Sequence, residues 1–148
     1  MSKAAEISFE TTLLVRDTCL CLHLQRAARA LARRFDEALR PLGLTSGQYS
    51  MMMALNRPEP PGIGSVASLL SMDRTTLTAA LKPLQRRDLV TVMVDAADRR
   101  GRRLRLTSAG RALLARAFPV WRRTHAEIDR LLPGNSVDRL RRDLQALS

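Results

Sequence analysis

Residues 73–105 read DRTTLTAALKPLQRRDLVTVMVDAADRRGRRLR, and the reading of this stretch decides the fold. It opens on Asp73, a residue type that caps helices by accepting the free N–H groups of the first turn. On a helical wheel Leu77, Leu81 and Leu84 share one face with Ala80 beside them, while Thr75, Ala79, Lys82 and Arg86 point nearly the other way. A helix is therefore expected from Asp73 to about Arg87, bent locally at Pro83 and not ended there, because Leu84 continues the apolar stripe. Val90, Val92 and Val94 then alternate, as do Leu104 and Leu106, so two strands are expected around a polar tip at 95–103. Arg99, Arg100, Arg102, Arg103 and Arg105 crowd around Gly101.

Working upstream, Leu20, Leu24, Ala28, Leu31, Phe35 and Ala38 recur at three- and four-residue spacing, which predicts one amphipathic helix from about Thr11 to Leu39. Arg26, Arg29, Arg33 and Arg40 lie on its other side, and Pro41 and Gly43 stop it. Thr45 with Gln48 has the spacing of a capping box for a short helix through Tyr49, Met52 and Leu55. Pro58, Pro60, Pro61 and Gly62 form a stiff loop, followed by a short helix over about 64–70 and a tight connection at Ser71 and Met72. Downstream, Thr107 and Ser108 cap a long helix through Leu113, Ala117, Trp121, Ile128 and Leu131, with a kink expected at Pro119. Pro133 and Gly134 end it, and a last helix runs from Asn135 or Ser136 to Leu147. The chain is thus expected to be mainly α with a small β-hairpin: a winged helix-turn-helix at 44–110, between an N-terminal helical region at 1–43 and C-terminal helices at 111–148.

The composition narrows the partner. The 148 residues carry a net charge of +11, and 23 of the 25 basic residues are Arg. Arg presents a planar fork of donors suited to phosphate and guanine edges, so a polyanion partner is expected. Aromatics are 3%, too few for the stacking platforms that single-strand binders use, which leaves duplex DNA. No run approaches the length of a membrane helix, and the first ten residues show no signal-peptide pattern. Two cysteines are too few for a secreted disulfide framework, so a cytoplasmic setting is expected. With two His, no glycine-rich phosphate loop and no metal-ligand spacing, neither catalytic residues, nor a metal site, nor a cofactor are expected.

Between 73 and 105 nine basic residues face four acidic ones, a local net of +5. The small polar face of the Asp73 helix suits the major groove, with Arg74, Thr75, Thr76, Thr78, Lys82 and Arg86 as the candidate contacts. Arg99, Arg100, Arg102 and Arg103 at the tip suit a narrow minor groove, whose field relieves their mutual repulsion. The alternatives are an ordinary amphipathic surface helix and a solvated loop, or a sequence-blind architectural DNA-binding protein that uses charge alone. The threonine face beside the basic tip favours a sequence-specific regulator.

Three segments, LGLTSGQYSMMMAL at 42–55, DRTTLTAALKPL at 73–84 and DRRGRRLRLTSAG at 98–110, resemble the MarR family of winged helix-turn-helix transcriptional regulators. The last segment matches the family's wing most specifically, with Asp, any residue, Arg, and an L-x-L-T-x-x-G ending. The resemblance implies that Asp98 braces the wing by pairing with an Arg while Arg100 reaches the minor groove. It also implies a homodimer built from the first and last two helices. Their apolar stripes call for such a partner independently, the alternative being a monomer that packs them internally. Two recognition helices would then meet an inverted-repeat operator. The sequence departs from the family at Asp88, where Gly is usual; if the helix ends on a left-handed residue, Asp88 must adopt positive φ.

A regulator needs an input, either an oxidant or a small aromatic or anionic effector, with the protein acting as a repressor released by it. Cys19, Cys21 and His23 form C-x-C-x-H. Within a regular helix residues two apart diverge by about 160°, so Cys19 and Cys21 cannot bond to each other there. They read as small buried hydrophobes, as a redox sensor or, with His23, as part of a metal site. The resemblance places Cys21 where the peroxide-sensing branch keeps its reactive cysteine, although Gln25, Phe35 and Ser46 stand where that branch has tyrosines. For an effector in the family's cleft between dimerisation helices and winged helix, Arg16, His23, Met51 and Met52 are the candidates by position.

Overall fold

The computed structural model describes residues 6–148; residues 1–5, with Lys3 and the start of the region expected at 1–43, lie outside the described residues. Helix α1 (Phe9–Thr18) starts at Ser8, whose hydroxyl accepts the Thr11 N–H. It stops one residue before Cys19, whose backbone is extended (φ −70°, ψ 108°), and α2 (Leu20–Leu39) begins on the other side. The single helix expected from Thr11 to Leu39 is therefore two. The Thr18 hydroxyl donates to the Leu14 carbonyl at 2.7 Å, a back-bond that bends helices, and His23 Nδ1 lies 2.8 Å from the Cys19 carbonyl. Apolar periodicity continues across the break, which hides it from a pattern reading.

A 3-10 turn (Arg40–Leu42) and left-handed Gly43 (φ 67°) close α2. Helix α3 (Ser46–Ala54) opens with the expected capping box of Thr45 and Gln48. After the proline loop come α4 (Ile63–Leu69) and α5 (Arg74–Arg86), joined through Ser71, whose φ of 51° makes the helix-turn-helix corner. Pro83 sits inside α5 without ending it, and Asp88 takes the expected positive φ, 56°. Strands β1 (Val90–Val94) and β2 (Arg102–Leu106) pair antiparallel, Val90 opposite Leu106 and Val92 opposite Leu104, around a tip at 95–101. The proline loop edges this hairpin: Leu104 N–H donates to the Pro61 carbonyl at 2.9 Å, and Gly62 bridges to Arg103. Helix α6 (Ser108–Asp129) runs through Pro119, and α7 (Ser136–Gln145) follows left-handed Gly134.

Leu77, Leu81 and Leu84 from α5 are fully buried against Met52, Val66 and Leu104. Leu39 and Ala117 are also buried, so α2 and α6 share this core. By contrast α1 and α7 contribute no buried residue. One close approach explains the glycine of the L-x-L-T-x-x-G segment. A Cβ on Gly110 would lie 2.1 Å from the Leu89 carbonyl oxygen, so α6 can seat against the start of β1 only with glycine there.

Candidate nucleic-acid interface

The N-terminus of α5 is held by Asp73. Its carboxylate accepts the Thr76 N–H at 2.8 Å and the Thr76 hydroxyl at 2.7 Å. The backbone N–H and then the hydroxyl of Thr76 keep this carboxyl below its usual range. Thr78 donates its hydroxyl to the Arg74 carbonyl at 2.7 Å. Of the three threonines predicted to face DNA, Thr75 alone keeps a hydroxyl without a hydrogen bond among the described residues; Thr76 and Thr78 offer mainly their methyls and acceptor lone pairs. Arg74 folds back on α4, its Nη2 only 2.7 Å from where a Cβ on Gly64 would stand. Lys82 and Arg86 are exposed.

The wing divides its arginines between architecture and display. Arg103 Nε pairs with Asp95 at 3.1 Å, and its Nη1 donates to the Pro60 carbonyl at 2.8 Å. Asp95 also accepts the Ala97 N–H at 3.0 Å; that bond first, then Arg103, lowers its pKa. Asp98, expected to pair with an arginine side chain, instead accepts the Arg100 backbone N–H at 3.0 Å, and its carbonyl accepts Gly101 N–H at 2.8 Å. The brace is therefore Asp95 with Arg103, because Asp95 follows β1 directly and meets β2, while Asp98 sits at the tip and closes a turn. Arg102, also predicted to face DNA, donates to the Arg99 and Gly101 carbonyls at 3.1 and 3.0 Å and ties the tip. Arg99 and Arg100 are exposed, with side chains that make no hydrogen bond or ion pair among the described residues.

The candidate sensor residues are not gathered into one site. Within one chain Cys21 is exposed, with Gln25 Nε2 donating to its sulfur at 3.2 Å, and Cys19 is half-buried. The helix break at Cys19 also removes the regular geometry that kept the two thiols apart. Arg16 pairs with neighbouring Asp17 at 2.7 Å on the exposed face of α1. His23 is turned to its own helix. Met51 and Met52 are core residues, 6% and 0% exposed, and offer no surface to an effector. Sequence reading missed an apolar groove of about 490 Å³ between α3, α4 and α6, walled by Tyr49, Met53, Leu70, Phe118 and Trp121. Trp121 stacks on Tyr49 and Phe118 with centroids 6.3 and 6.0 Å apart, and burial pushes the Tyr49 phenol up. The signal was Phe118, Trp121 and His125 at helical spacing. Among the described residues no three His, Cys, Asp or Glu side chains gather as a metal set, and no helix is long and apolar enough to cross a membrane.

No family model matches the chain. It is 32% identical over 95 residues to the transcriptional activatory protein BadR of Rhodopseudomonas palustris, and spans 54% of that protein's length. Among solved structures it resembles the M. tuberculosis transcriptional regulator MosR in complex with DNA. There it is 39% identical, with a TM-score of 0.79, over 87% of this chain and 92% of that one. The transcriptional repressor CouR bound to a 23-mer DNA duplex matches at 27% identity and a TM-score of 0.80, over 97% and 99% of the two chains. These relatives are regulators and not enzymes. The chain belongs to the MarR family of winged helix-turn-helix transcriptional regulators.

Proposed function

We propose that the protein is a homodimeric repressor that binds an inverted-repeat operator in duplex DNA. The observation that carries this reading is the division of labour in the wing: Arg102 and Arg103 build the tip, and Arg99 and Arg100 are displayed to solvent. Thr75, Lys82 and Arg86 then meet the major groove, with the methyls of Thr76 and Thr78 flanking, and Arg99 and Arg100 the minor groove. The DNA complexes of MosR and CouR support duplex DNA as the partner. Residues 44–110 form the reading domain, with 1–43 and 111–148 as dimerisation arms. In support, α1 and α7 bury nothing within one chain, and Phe9, Leu14, Leu20, Leu140, Leu144 and Leu147 are exposed. A two-fold partner covers them and sets two α5 helices about 34–36 Å apart on one DNA face. The test is selection of bound fragments from genomic DNA under excess bulk competitor, repeated with Thr75→Ala and Arg100→Ala. Enrichment of an inverted repeat that both variants lose is expected; unbiased retention of all fragments identifies an architectural protein instead.

Release by an oxidant is favoured by two free thiols at one helix start, Cys19 on the extended cap of α2 and Cys21 in that helix's first turn. Hydrogen peroxide would take two electrons and two protons from the thiols, forming one S–S bond and breaking its own O–O bond, with two waters as products. A mass loss of two hydrogens per chain and weakened operator binding are expected, both abolished in Cys19→Ser; unchanged affinity after oxidation rejects this input. Release by a small aromatic effector is favoured by the Trp121 groove, which lies between α6 and the winged helix.

A further inference from the structure

A second cavity has the opposite chemistry. It holds about 260 Å³ between the α3–α4 loop, the base of β2 and the first turn of α6, with Asn56, Arg57, Arg105 and Arg111 in its walls. The α3–α4 loop and the β2–α6 junction, two segments distant in sequence, thus bring three arginines to one small space. Neither Arg57 nor Arg105 makes a side-chain hydrogen bond or ion pair among the described residues. Arg111 is pinned by one bond, Nη1 to the Leu106 carbonyl at 2.9 Å, which leaves its other donors free. Glu59 lies between the lining prolines but is not part of the wall and pairs with none of the three. The walls are also fixed in advance. Arg57 sits on a turn closed by its N–H to the Leu55 carbonyl at 2.9 Å, and the following prolines are tied to β2 through Pro60 and Pro61. Arg111 additionally stands in the first turn of a 22-residue helix that has no acidic residue there, against the helix dipole. Three like charges lining one small cavity are relieved by an anion.

We infer that this pocket binds a phosphate group. Each guanidinium offers a flat pair of donors, and a carboxylate has only two oxygens to share among three of them. A phosphate presents three or four oxygens in a tetrahedron and can meet all three forks. The volume is below the range usual for drug-sized ligands, which fits a phosphate or pyrophosphate with little else enclosed. The site stands apart from the displayed wing arginines and from α5, and does not rest on the operator reading. Its phosphate comes either from the DNA backbone beside the wing or from a free phosphorylated molecule.

The test is calorimetric titration of the full chain with inorganic pyrophosphate at low salt. Saturable binding of one pyrophosphate per chain is expected, weakened about tenfold or more in Arg57→Gln/Arg105→Gln. The control Arg116→Gln/Arg123→Gln removes equal charge from the exposed face of α6 and is expected to bind as the unaltered protein does. Absence of saturable binding, or equal weakening in both double variants, overturns the site and leaves only diffuse charge. Melting curves establish that the variants fold, and the single loop variant Arg57→Gln carries the test if the double variant does not. The salt dependence of duplex DNA binding separates the sources. A backbone phosphate makes the slope of log K against log[salt] shallower by about 0.9 in the pocket variant. A free phosphorylated ligand leaves the slope unchanged while pyrophosphate still binds.

Discussion

Replacing Gly110 by alanine sets two physical effects against each other. Gly110 lies inside α6, and by helix propensity alone alanine there stabilises by about 1 kcal/mol. The local packing gives the opposite sign. The new methyl carbon would stand 2.1 Å from the Leu89 carbonyl oxygen, 3.1 Å from its carbon and 3.3 Å from Leu106 Cδ2. An ordinary carbon-to-oxygen contact is about 3.3 Å, so α6 must retreat by roughly 1 Å. That retreat acts on Thr107, which donates its N–H to Leu89 at 3.1 Å and its hydroxyl to Asp88 at 2.6 Å. Overpacking costs about 1–3 kcal/mol and a weakened hydrogen bond about 1 more, so after the propensity gain Gly110→Ala is expected to destabilise by about 1–3 kcal/mol. Urea denaturation followed by circular dichroism, at one fixed protein concentration, is expected to show a midpoint lowered by about 1 M. A midpoint equal to or above that of the unaltered protein refutes the close-approach account of this glycine.

Arg100→Ala is expected to weaken operator binding by about 1–3 kcal/mol without lowering the melting temperature, whereas Arg103→Ala lowers both, because it loses Asp95 and Pro60 together. Anisotropy titrations beside melting curves decide this, and an unshifted melt for Arg103→Ala removes the brace. Asp73 is held below its ordinary value of 3.8, so its contribution to stability is present above that pH and is lost as pH falls through the lower folded value. Asp73→Asn is therefore expected to flatten the loss of stability below about pH 4, and coincident acid limbs in thermal melts argue against the cap. Trp121 is the chain's one tryptophan and walls the apolar groove, so an aromatic carboxylic acid bound there is expected to change its emission. A silent titration with operator release intact places the effector elsewhere.

What the sequence displayed was whatever depends on local pattern. The leucines of α5, the capping box at Thr45, the cap at Asp73 and the valine alternation of β1 each rest on residues within a few positions of one another, and each is where the pattern put it. Positive φ at Asp88 was legible for a different reason, the glycine that the family resemblance puts at that position. The division of the wing arginines was not. Whether Arg103 braces or reaches out depends on the Pro60 carbonyl, 43 residues away, and no periodicity encodes that contact. The break at Cys19 stayed hidden because it interrupts hydrogen bonds and not hydrophobic spacing. The burial of Met51 and Met52 follows from α3 being enclosed by α2, α5 and α6, a matter of packing that their position along the chain does not reveal.

These contacts also constrain how an input could act at a distance. The winged helix meets the N-terminal arm at Gly43, the left-handed residue that closes the 3-10 turn following α2. There Arg87, one residue past the end of α5, donates Nη1 to the Gly43 carbonyl at 2.6 Å. A Cβ on Gly43 would come within 3.1 Å of Arg87 Nη2, so the guanidinium lies flat against the turn. Leu39, the last residue of α2, is meanwhile fully buried in the same core as Leu77, Leu81 and Leu84 of α5. The end of α2 and the end of α5 are thus linked twice, through a shared apolar core and through the hydrogen bond from Arg87 to Gly43. A change at Cys19 has no contact with α5 of its own, so it can alter DNA binding only by moving α2 as a body or by changing how two copies meet. A tilt of α2 reaches the winged helix through Leu39 and Gly43 as well as through its packing on α3 and α6, and close-packed apolar contacts transmit it because they do not compress.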